Sequence, residues 1–290
     1  MTSGPMEERA RESWARRILN LSVVRIVLAV FVTALAGGLT QAGLSSISAR
    51  RFHIVWPDLC GALAAIAAYA LYVRWVERRS VTELSSRRAL PELGVGLLVG
   101  AGMVFAVVGT LASIGAYQLL GMNIPGAEVG AGLAEMVFVG VFEELLSRAI
   151  VFRLVERSLG TAAALGVSSL LFGLAHVPGD TAGALSAAIA VVAGVFFGAA
   201  FLLTRRLWLC IGLHVGWNFT LGYVFAMPVS GHPGKGFVVG VLSGPAWVTG
   251  GAYGLEASVF TLVVLLIVGA WLLRGVARKG HWVRWRVARR

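Results

Sequence analysis

Long apolar runs dominate the sequence and recur along almost its whole length. Eight of them approach or exceed the roughly 18–20 residues that a helix needs to cross a bilayer. Short stretches rich in arginine, glycine or proline separate the runs. The pattern predicts an all-α, polytopic membrane helix bundle with about eight transmembrane helices. These lie at positions 26–44, 54–73, 93–120, 129–152, 161–176, 182–203, 207–229 and 255–273.

The composition supports a membrane protein over a soluble one. Hydrophobic residues make up 58% of the chain and charged residues 13%, whereas soluble domains average roughly 45–50% and about 25%. Cys60 and Cys210 both lie in apolar runs. We therefore interpret the two cysteines as buried small side chains and not as a disulfide framework.

The basic residues are distributed unevenly along the chain. With the N-terminus placed in the cytoplasm, 22 of the 25 lysines and arginines fall on the inner side, and only Arg50, Arg51 and Lys235 fall outside. This follows the positive-inside rule and predicts cytoplasmic N- and C-termini in a multi-pass protein of the inner cell membrane. An anionic lipid surface accounts for the net charge of +11. The lipid bilayer is therefore the expected partner, and no nucleic acid is needed.

The chain is predicted to be a single membrane domain with charged ends. Residues 1–25 form a cytoplasmic or interfacial segment, 26–273 the helix bundle with its motif core at 129–229, and 274–290 a basic interfacial tail. The arginines before run 26–44 resemble the start of a signal peptide. A run of that length is more often retained as a first helix, and the sequence leaves its retention open.

Charged side chains occur in the middle of the fourth run, where a lipid-spanning helix rarely carries them. Glu143, Glu144 and Arg148 lie within six consecutive positions. Each such charge near a helix centre costs about 2.5–3.5 kcal/mol on insertion scales. Residues four apart share a helix face, which predicts a Glu144–Arg148 ion pair. Glu143 lies about 100° round the helix, so it is left free as the reactive carboxylate.

Two histidines and an asparagine occupy similarly apolar surroundings in later runs. At about 1.5 Å per residue, His176, His214 and Asn218 fall within about two helical turns of the depth of Glu143. His214 and Asn218 share a helix face, as do Phe172 and His176. We therefore expect one polar site inside the bilayer, with Phe172 shaping the wall beside the imidazole.

These residue types suit the hydrolysis of an amide. A carboxylate in a low-dielectric cavity can act as a general base near neutral pH, so Glu143 is the candidate base for water. His176 would orient that water or protonate the leaving amine, while His214 and Asn218 would donate hydrogen bonds to the oxyanion. Because no serine or cysteine lies at helical spacing from the histidines, a nucleophilic triad is less supported.

A metal ion is the alternative means of activating the water. Glu143, His176 and His214 form a His₂Glu donor set, as in some catalytic zinc sites. However, the sequence has no HExxH helix pair, and the three donors lie in separate runs. The residue types alone leave the metal-free and the zinc-assisted mechanisms open.

Three short motifs occur in order within the apolar runs. They are Glu143-Glu144-x-x-x-Arg148, Phe172-x-x-x-His176 and His214-x-x-x-Asn218. Together they resemble the CPBP family, the CAAX proteases and bacteriocin-processing enzymes that are also called the Abi family. The resemblance implies an intramembrane endopeptidase in which Glu143 and His176 activate water and His214 and Asn218 form the oxyanion site. The family is often labelled metalloprotease, and a metal-free glutamate mechanism is also proposed for it.

The expected function is hydrolysis of a peptide bond in a membrane-associated protein or peptide, either CAAX-like or of another kind. The sequence does not tell whether this substrate is lipidated. A non-catalytic immunity or scaffold protein of the same fold is the alternative. A secondary transporter is less supported, because the two halves of the chain show no internal repeat.

Overall fold

The computed structural model describes residues 21–47, 55–124, 126–177 and 183–285. Within these ranges, six helical stretches are long and apolar enough to cross a membrane. The all-α, polytopic membrane fold is thereby confirmed, while the count of eight spans and the side of each terminus remain predictions. Most of the predicted interfacial segment 1–25 and the end of the tail lie outside the described residues.

The long helices follow the predicted runs closely. Three of them continue directly into a wider π-helical segment, and a π-helix takes an extra residue in each turn. The helices are α1 Ser22–Ile47, α2 Trp56–Tyr72, α3 Ala89–Ser113, α4 Glu128–Glu144, α5 Arg153–Ala175, α6 Ala184–Thr204, α7 Trp208–Phe219 and α8 Val259–Lys279. The π-helical segments are Val73–Glu77 after α2, Leu145–Phe152 after α4 and Thr220–Val224 after α7.

The third predicted transmembrane helix, 93–120, is wrong at its C-terminal end. Helix α3 stops at Ser113, and Gly115 then takes a left-handed φ of 77° that breaks the helix. The following residues form strand β1, Tyr117–Met122, which pairs antiparallel with strand β2, Val238–Leu242. Hydropathy did not reveal the strand, because a short apolar strand and a helix end look alike on that scale.

Helices α4 and α5 form one helical stretch, Glu128–Ala175, that turns back on itself at Gly160. Gly160 has φ 83° and ψ 173°, which is not helical. A straight helix would separate positions 143 and 176 by roughly 50 Å. Instead the side chains of Glu143 and His176 lie 3.9 Å apart. Gly160 lies almost midway between them, so this one bend brings the two arms together.

The described part of the tail is attached to this bend. The amide of Thr161 donates to the carbonyl of Val283, and the amide of Val283 donates to the Thr161 hydroxyl, each at 2.9 Å. The Arg205 guanidinium donates to the carbonyl of His281, whose own ring nitrogen Nδ1 lies 2.7 Å from the Leu202 carbonyl oxygen. The segment 281–283 therefore packs on the bend in α5 and on the C-terminal end of α6.

Helices α3 and α7 approach each other closely through glycines. A Cβ placed on Gly100 of α3 would lie 2.3 Å from the carbonyl oxygen of Leu213 on α7. A Cβ placed on Gly216 of α7 would lie 2.4 Å from the carbonyl oxygen of Leu97. Small residues let helix backbones meet in this way. The contact fixes α7, which carries two of the predicted site residues, against α3.

Candidate active site

Glu143 lies in the last turn of α4 and points into the interior of the bundle. Its Oε2 atom is buried and has no hydrogen-bond partner among the described residues. Both His176 and His214 direct Nε2 at this oxygen, each from 3.9 Å. The convergence expected from helix depth is therefore present, although the three residues come from three different helical arms.

His176 directly follows the last residue of α5, and its ring is held from two sides. Its Nδ1 lies 2.8 Å from the carbonyl oxygen of Phe172, and the two rings pack with centroids 4.5 Å apart. Because a carbonyl oxygen only accepts, the proton of the neutral ring belongs on Nδ1. The lone pair on Nε2 then faces Glu143.

Glu144 is fully buried and connects Arg148 to His214. The predicted ion pair with Arg148 is present, with Nε 3.2 Å from Oε2. The other carboxylate oxygen, Oε1, lies 3.0 Å from Nδ1 of His214. This second partner was not predicted, because the sequence gives no direct signal for contacts between residues 70 positions apart. Glu144 therefore orients His214 as well as neutralising Arg148.

Arg148 is only 1% exposed and lies between two aromatic rings. Its Cζ atom is 4.6 Å from the ring centre of Phe172 and 5.0 Å from that of Phe197. Phe197 also stacks on His214, with centroids 5.0 Å apart. The guanidinium thus supports both rings that pack on the two histidines. Phe197 was missed by sequence reasoning, because nothing distinguishes it from the other apolar residues of α6.

Asn218 lies one turn after His214 on α7 and is buried, with only 6% of its surface exposed. It faces the same cavity as Glu143, His176 and His214, and this cavity has a volume of about 1380 Å³. The Thr220–Val224 π-helical segment begins two residues later. The structure therefore brings all four predicted site residues to the wall of one cavity.

Comparison with known protein families gives a match to the central part of the chain. Residues 125–220 match the Rce1-like model, described as type II CAAX prenyl endopeptidase Rce1-like. This segment is similar to an Rce1-like domain. The resemblance to the CPBP family is thereby confirmed on the residues that carry the three motifs. No curated protein matches the chain.

The description of this family as an endopeptidase implies that the protein is a protease, which hydrolyses peptide bonds. Together with the six apolar helical stretches of the chain, the match implies a membrane protein or peptide as the substrate and the lipid bilayer as a partner. The matched segment includes α4, α5, α6 and α7. It excludes the first three helices, both strands and α8.

The donor chemistry of the Rce1-like site fits zinc, although its present spacing is wide. Glu143, His176 and His214 offer one oxygen and two nitrogens, which is a known catalytic zinc set. Bond lengths near 2.1 Å imply ligand atoms about 3.4 Å apart in a tetrahedral site. The Nε2–Oε2 separations are 3.9 Å, and no group in the described residues meets the spacing of a metal site. Binding of zinc would therefore require the side chains to close in.

A large part of the cavity wall is apolar. It includes Val27, Phe31 and Leu35, which recur every four residues along α1 and are also exposed at the surface of the bundle. Leu171 of α5 lies on the same cavity and is exposed as well. The candidate site is therefore bounded in part by apolar side chains that are also exposed on the surface of the bundle.

Two polar residues beyond the motifs also line this cavity. Glu135 is exposed and accepts a hydrogen bond from the Tyr223 hydroxyl at 2.7 Å. Tyr253 lies beyond the Rce1-like segment, in the turn Gly251–Tyr253. Burial raises the pKa of the Tyr253 phenol, and the negative charges of Glu256 and Glu143 raise it further. Tyr253 therefore remains a neutral hydrogen-bonding group.

Proposed function

We propose that this protein is an intramembrane endopeptidase that uses Glu143 as a general base for water. The observation that carries this proposal is the state of Glu143 Oε2. It is buried, has no hydrogen-bond partner among the described residues and faces two imidazole nitrogens at 3.9 Å. A buried carboxylate oxygen without a partner is costly to stability. Such a cost is typical of a group held ready for a substrate or a water molecule.

The 3.9 Å separations suit a bridging water. A direct hydrogen bond needs about 2.7–3.2 Å, so neither histidine bonds Glu143 directly. A water about 2.8 Å from both atoms spans 3.9 Å when the angle at its oxygen is roughly 90°. One water hydrogen would point to Glu143 and the other to Nε2 of His176. The lone pairs of the water oxygen then remain available to attack a carbonyl carbon.

The reaction follows from these positions. As the water oxygen bonds to the carbonyl carbon, one water proton passes to Glu143 and the carbonyl oxygen becomes an oxyanion. The Asn218 amide and the imidazolium form of His214 donate hydrogen bonds to that oxyanion. In this form, His214 donates through Nδ1 to Glu144 and through Nε2 into the cavity. The tetrahedral intermediate then loses its amine, which receives the proton from Glu143 directly or through His176.

Zinc is the alternative activator of the same water. If bound, zinc would be held by Glu143, His176 and His214, and it would supply a Lewis acid that acidifies water and polarises the carbonyl. The roles of Asn218, Glu144 and Arg148 in holding the oxyanion and orienting His214 would be the same. The two mechanisms differ in their response to a chelator, which makes them separable.

The surroundings of the site support a substrate that is itself membrane-associated. Its apolar wall includes Phe31 and Leu171, whose side chains are also exposed at the surface of the bundle. A peptide segment or a lipid chain carried by the substrate can contact these residues without crossing water. We therefore propose a CAAX-like tail or another membrane-bound peptide as substrate, with the enzyme in the inner cell membrane.

The test is cleavage of internally quenched peptides by the purified protein in detergent. One peptide carries a prenylated CAAX end, and a second has the same sequence without the lipid. The wild type is compared with Glu143→Gln, which keeps the shape of the side chain and removes its basicity. The matched control is Glu135→Gln, which neutralises a carboxylate on the same helix and cavity. Each protein is assayed with a chelator, without one, and after addition of zinc.

We expect Glu143→Gln to lower kcat by at least about 10²-fold, since this is the lower end of what a positioned general base contributes. Glu135→Gln is expected to retain most of the activity, and the chelator to have no effect. Activity that is lost with chelator and restored by zinc would show that Glu143, His176 and His214 act as metal ligands. No cleavage of either peptide by the wild type, or full activity of Glu143→Gln, would contradict the proposed function.

A further inference from the structure

One side of the proposed active site is formed by a segment that lies outside the Rce1-like match. We call residues 230–234 the roof segment. It follows the π-helical segment after α7, within a glycine-rich stretch of the chain. Four of its five residues line the active-site cavity, namely Ser230, His232, Pro233 and Gly234. A bound substrate would therefore contact this segment as well as the motif helices.

The roof segment is a tight turn with an unusual backbone. Val229 and His232 exchange both backbone hydrogen bonds, at 2.9 and 2.8 Å. Gly231 donates to the carbonyl of Tyr253 at 3.0 Å. Between them Ser230 has a positive φ of 47°, a conformation that non-glycine residues adopt infrequently. This turn needs contacts from elsewhere in the chain to hold its shape.

Glu256 supplies those contacts and links the roof segment to α7. One carboxylate oxygen accepts hydrogen bonds from the amide and the hydroxyl of Ser230. The other accepts from the indole Nε1 of Trp217 at 3.2 Å. Trp217 directly precedes Asn218, the candidate oxyanion donor, and both side chains line the cavity. A single carboxylate therefore joins the substrate-facing turn to the helix that carries the oxyanion site.

The backbone at Glu256 is itself firmly held. Glu256 lies in the 3₁₀ turn Leu255–Ala257, directly before α8. Ser258 caps α8 by accepting from the amide of Phe260 and donates to the Val248 carbonyl at 2.5 Å. Thr261 donates to the Leu255 carbonyl at 2.6 Å. The carboxylate is therefore presented from a rigid helix start, which is what a fixed anchor requires.

We propose that Glu256 is a positioning residue that fastens the roof segment over the active site and holds Trp217 beside Asn218. This inference rests on the proposed function. Through the roof segment, Glu256 shapes the wall that binds the substrate. Through Trp217, it fixes the helix position from which Asn218 meets the oxyanion. Loss of the carboxylate would therefore weaken substrate binding and also lower the rate of the chemical step.

The first test measures the roof segment without any substrate. Hydrogen–deuterium exchange, read by mass spectrometry, is compared between the wild type, Glu256→Ala and Trp217→Phe in detergent. Hydrogen bonds to a charged group hold the turn, so peptides covering 226–236 should exchange at least about tenfold faster in Glu256→Ala. In Trp217→Phe the bonds to Ser230 remain, and exchange of these peptides should stay close to wild type. Glu135→Gln is the matched control for removing a cavity carboxylate.

The second test separates KM from kcat with the peptide that the wild type cleaves. Glu256→Ala is expected to raise KM and to lower kcat, each by several-fold or more. Trp217→Phe keeps an aromatic ring but lacks the N–H, so kcat should fall while KM stays near the wild-type value. Glu256→Gln keeps one carbonyl oxygen as acceptor, and it should restore part of what Glu256→Ala loses.

Two outcomes would overturn this role for Glu256. One is wild-type exchange of peptides 226–236 in Glu256→Ala, and the other is unchanged KM and kcat in that variant. If Glu256→Ala loosens the whole bundle, peptides from α3 and α8 will exchange faster too. In that case the kinetics of Glu256→Gln and Trp217→Phe decide whether Glu256 has the proposed role. A wild type that cleaves no peptide would contradict the proposed function alone, because the exchange measurements still report whether Glu256 holds the roof segment.

Discussion

Replacement of Gly100 by alanine tests whether the close contact between α3 and α7 sets the geometry of the active site. The new Cβ would lie 2.3 Å from the carbonyl oxygen of Leu213, and ordinary contact begins only at 3.4 Å. The opposing atom belongs to the backbone of α7, so a side-chain rotation cannot relieve the overlap. Either α7 or α3 must therefore move away by about 1.1 Å to restore an ordinary contact distance.

The displaced backbone is that of Leu213, which is next to a residue of the active site. Leu213 directly precedes His214, whose Nε2 lies 3.9 Å from Glu143. A misplacement of about 1 Å in an active site can cost about 10²-fold in rate, so we expect Gly100→Ala to lower kcat by that order. Overpacking costs about 1–3 kcal/mol of stability. The gain in helix propensity on replacing glycine by alanine, about 1 kcal/mol, offsets only part of it.

Gly102 provides the matched control on the same helix. A Cβ placed on Gly102 meets nothing within 4 Å, so Gly102→Ala gains helix propensity without a clash and should be as stable as wild type or more so. Peptide cleavage and thermal unfolding in detergent are measured for both variants. Equal kcat and equal melting temperatures for Gly100→Ala and Gly102→Ala would refute the reasoning that this glycine contact positions His214.

Two further substitutions test the buried ion pair and the bend. Arg148→Leu leaves the buried Glu144 carboxylate without its cation and should destabilise the protein by about 3–5 kcal/mol in detergent unfolding; the double variant with Glu144→Gln should recover part of this loss, and no recovery would speak against the pair. Gly160→Ala places a methyl group 2.8 Å from the amide nitrogen of Trp285 at a positive φ, so its melting temperature should fall, by an amount equivalent to about 1–3 kcal/mol. Gly166→Ala on the same helix meets open space and should not show that loss.

The parts of the fold that the sequence predicted are those with a large local signal. An apolar run of about 20 residues has few alternatives to a membrane helix, so the helices were found at nearly their observed bounds. The cost of placing charge in lipid selected Glu143, Glu144 and Arg148 without any knowledge of their neighbours. Helical spacing then gave the Glu144–Arg148 pair, because both partners lie on one helix face.

The parts that could not be predicted depend on contacts between distant segments. The stacking of Phe197 on His214 and the bond from Trp217 to Glu256 join residues that no spacing rule relates. Strand β1 was read as the end of a helix, because its pairing partner lies more than a hundred residues away. The π-helical segments were not predicted either, since a slightly larger number of residues per turn leaves the hydropathy pattern almost unaltered.

The two adjacent glutamates show how the site assigns different roles to identical side chains. Both oxygens of Glu144 have a partner: Oε1 lies 3.0 Å from Nδ1 of His214, and Oε2 forms an ion pair with Arg148 at 3.2 Å. The ion pair does not have the geometry of a hydrogen bond. Glu143 faces the cavity with one buried oxygen unpartnered among the described residues, and 30% of its side chain remains exposed. An ion-pair cluster built only for stability would give both carboxylates a permanently charged partner, because an unpaired buried oxygen costs about 1–3 kcal/mol. That the chain keeps this cost beside two imidazoles is the physical argument for Glu143, and not Glu144, as the group that meets the substrate.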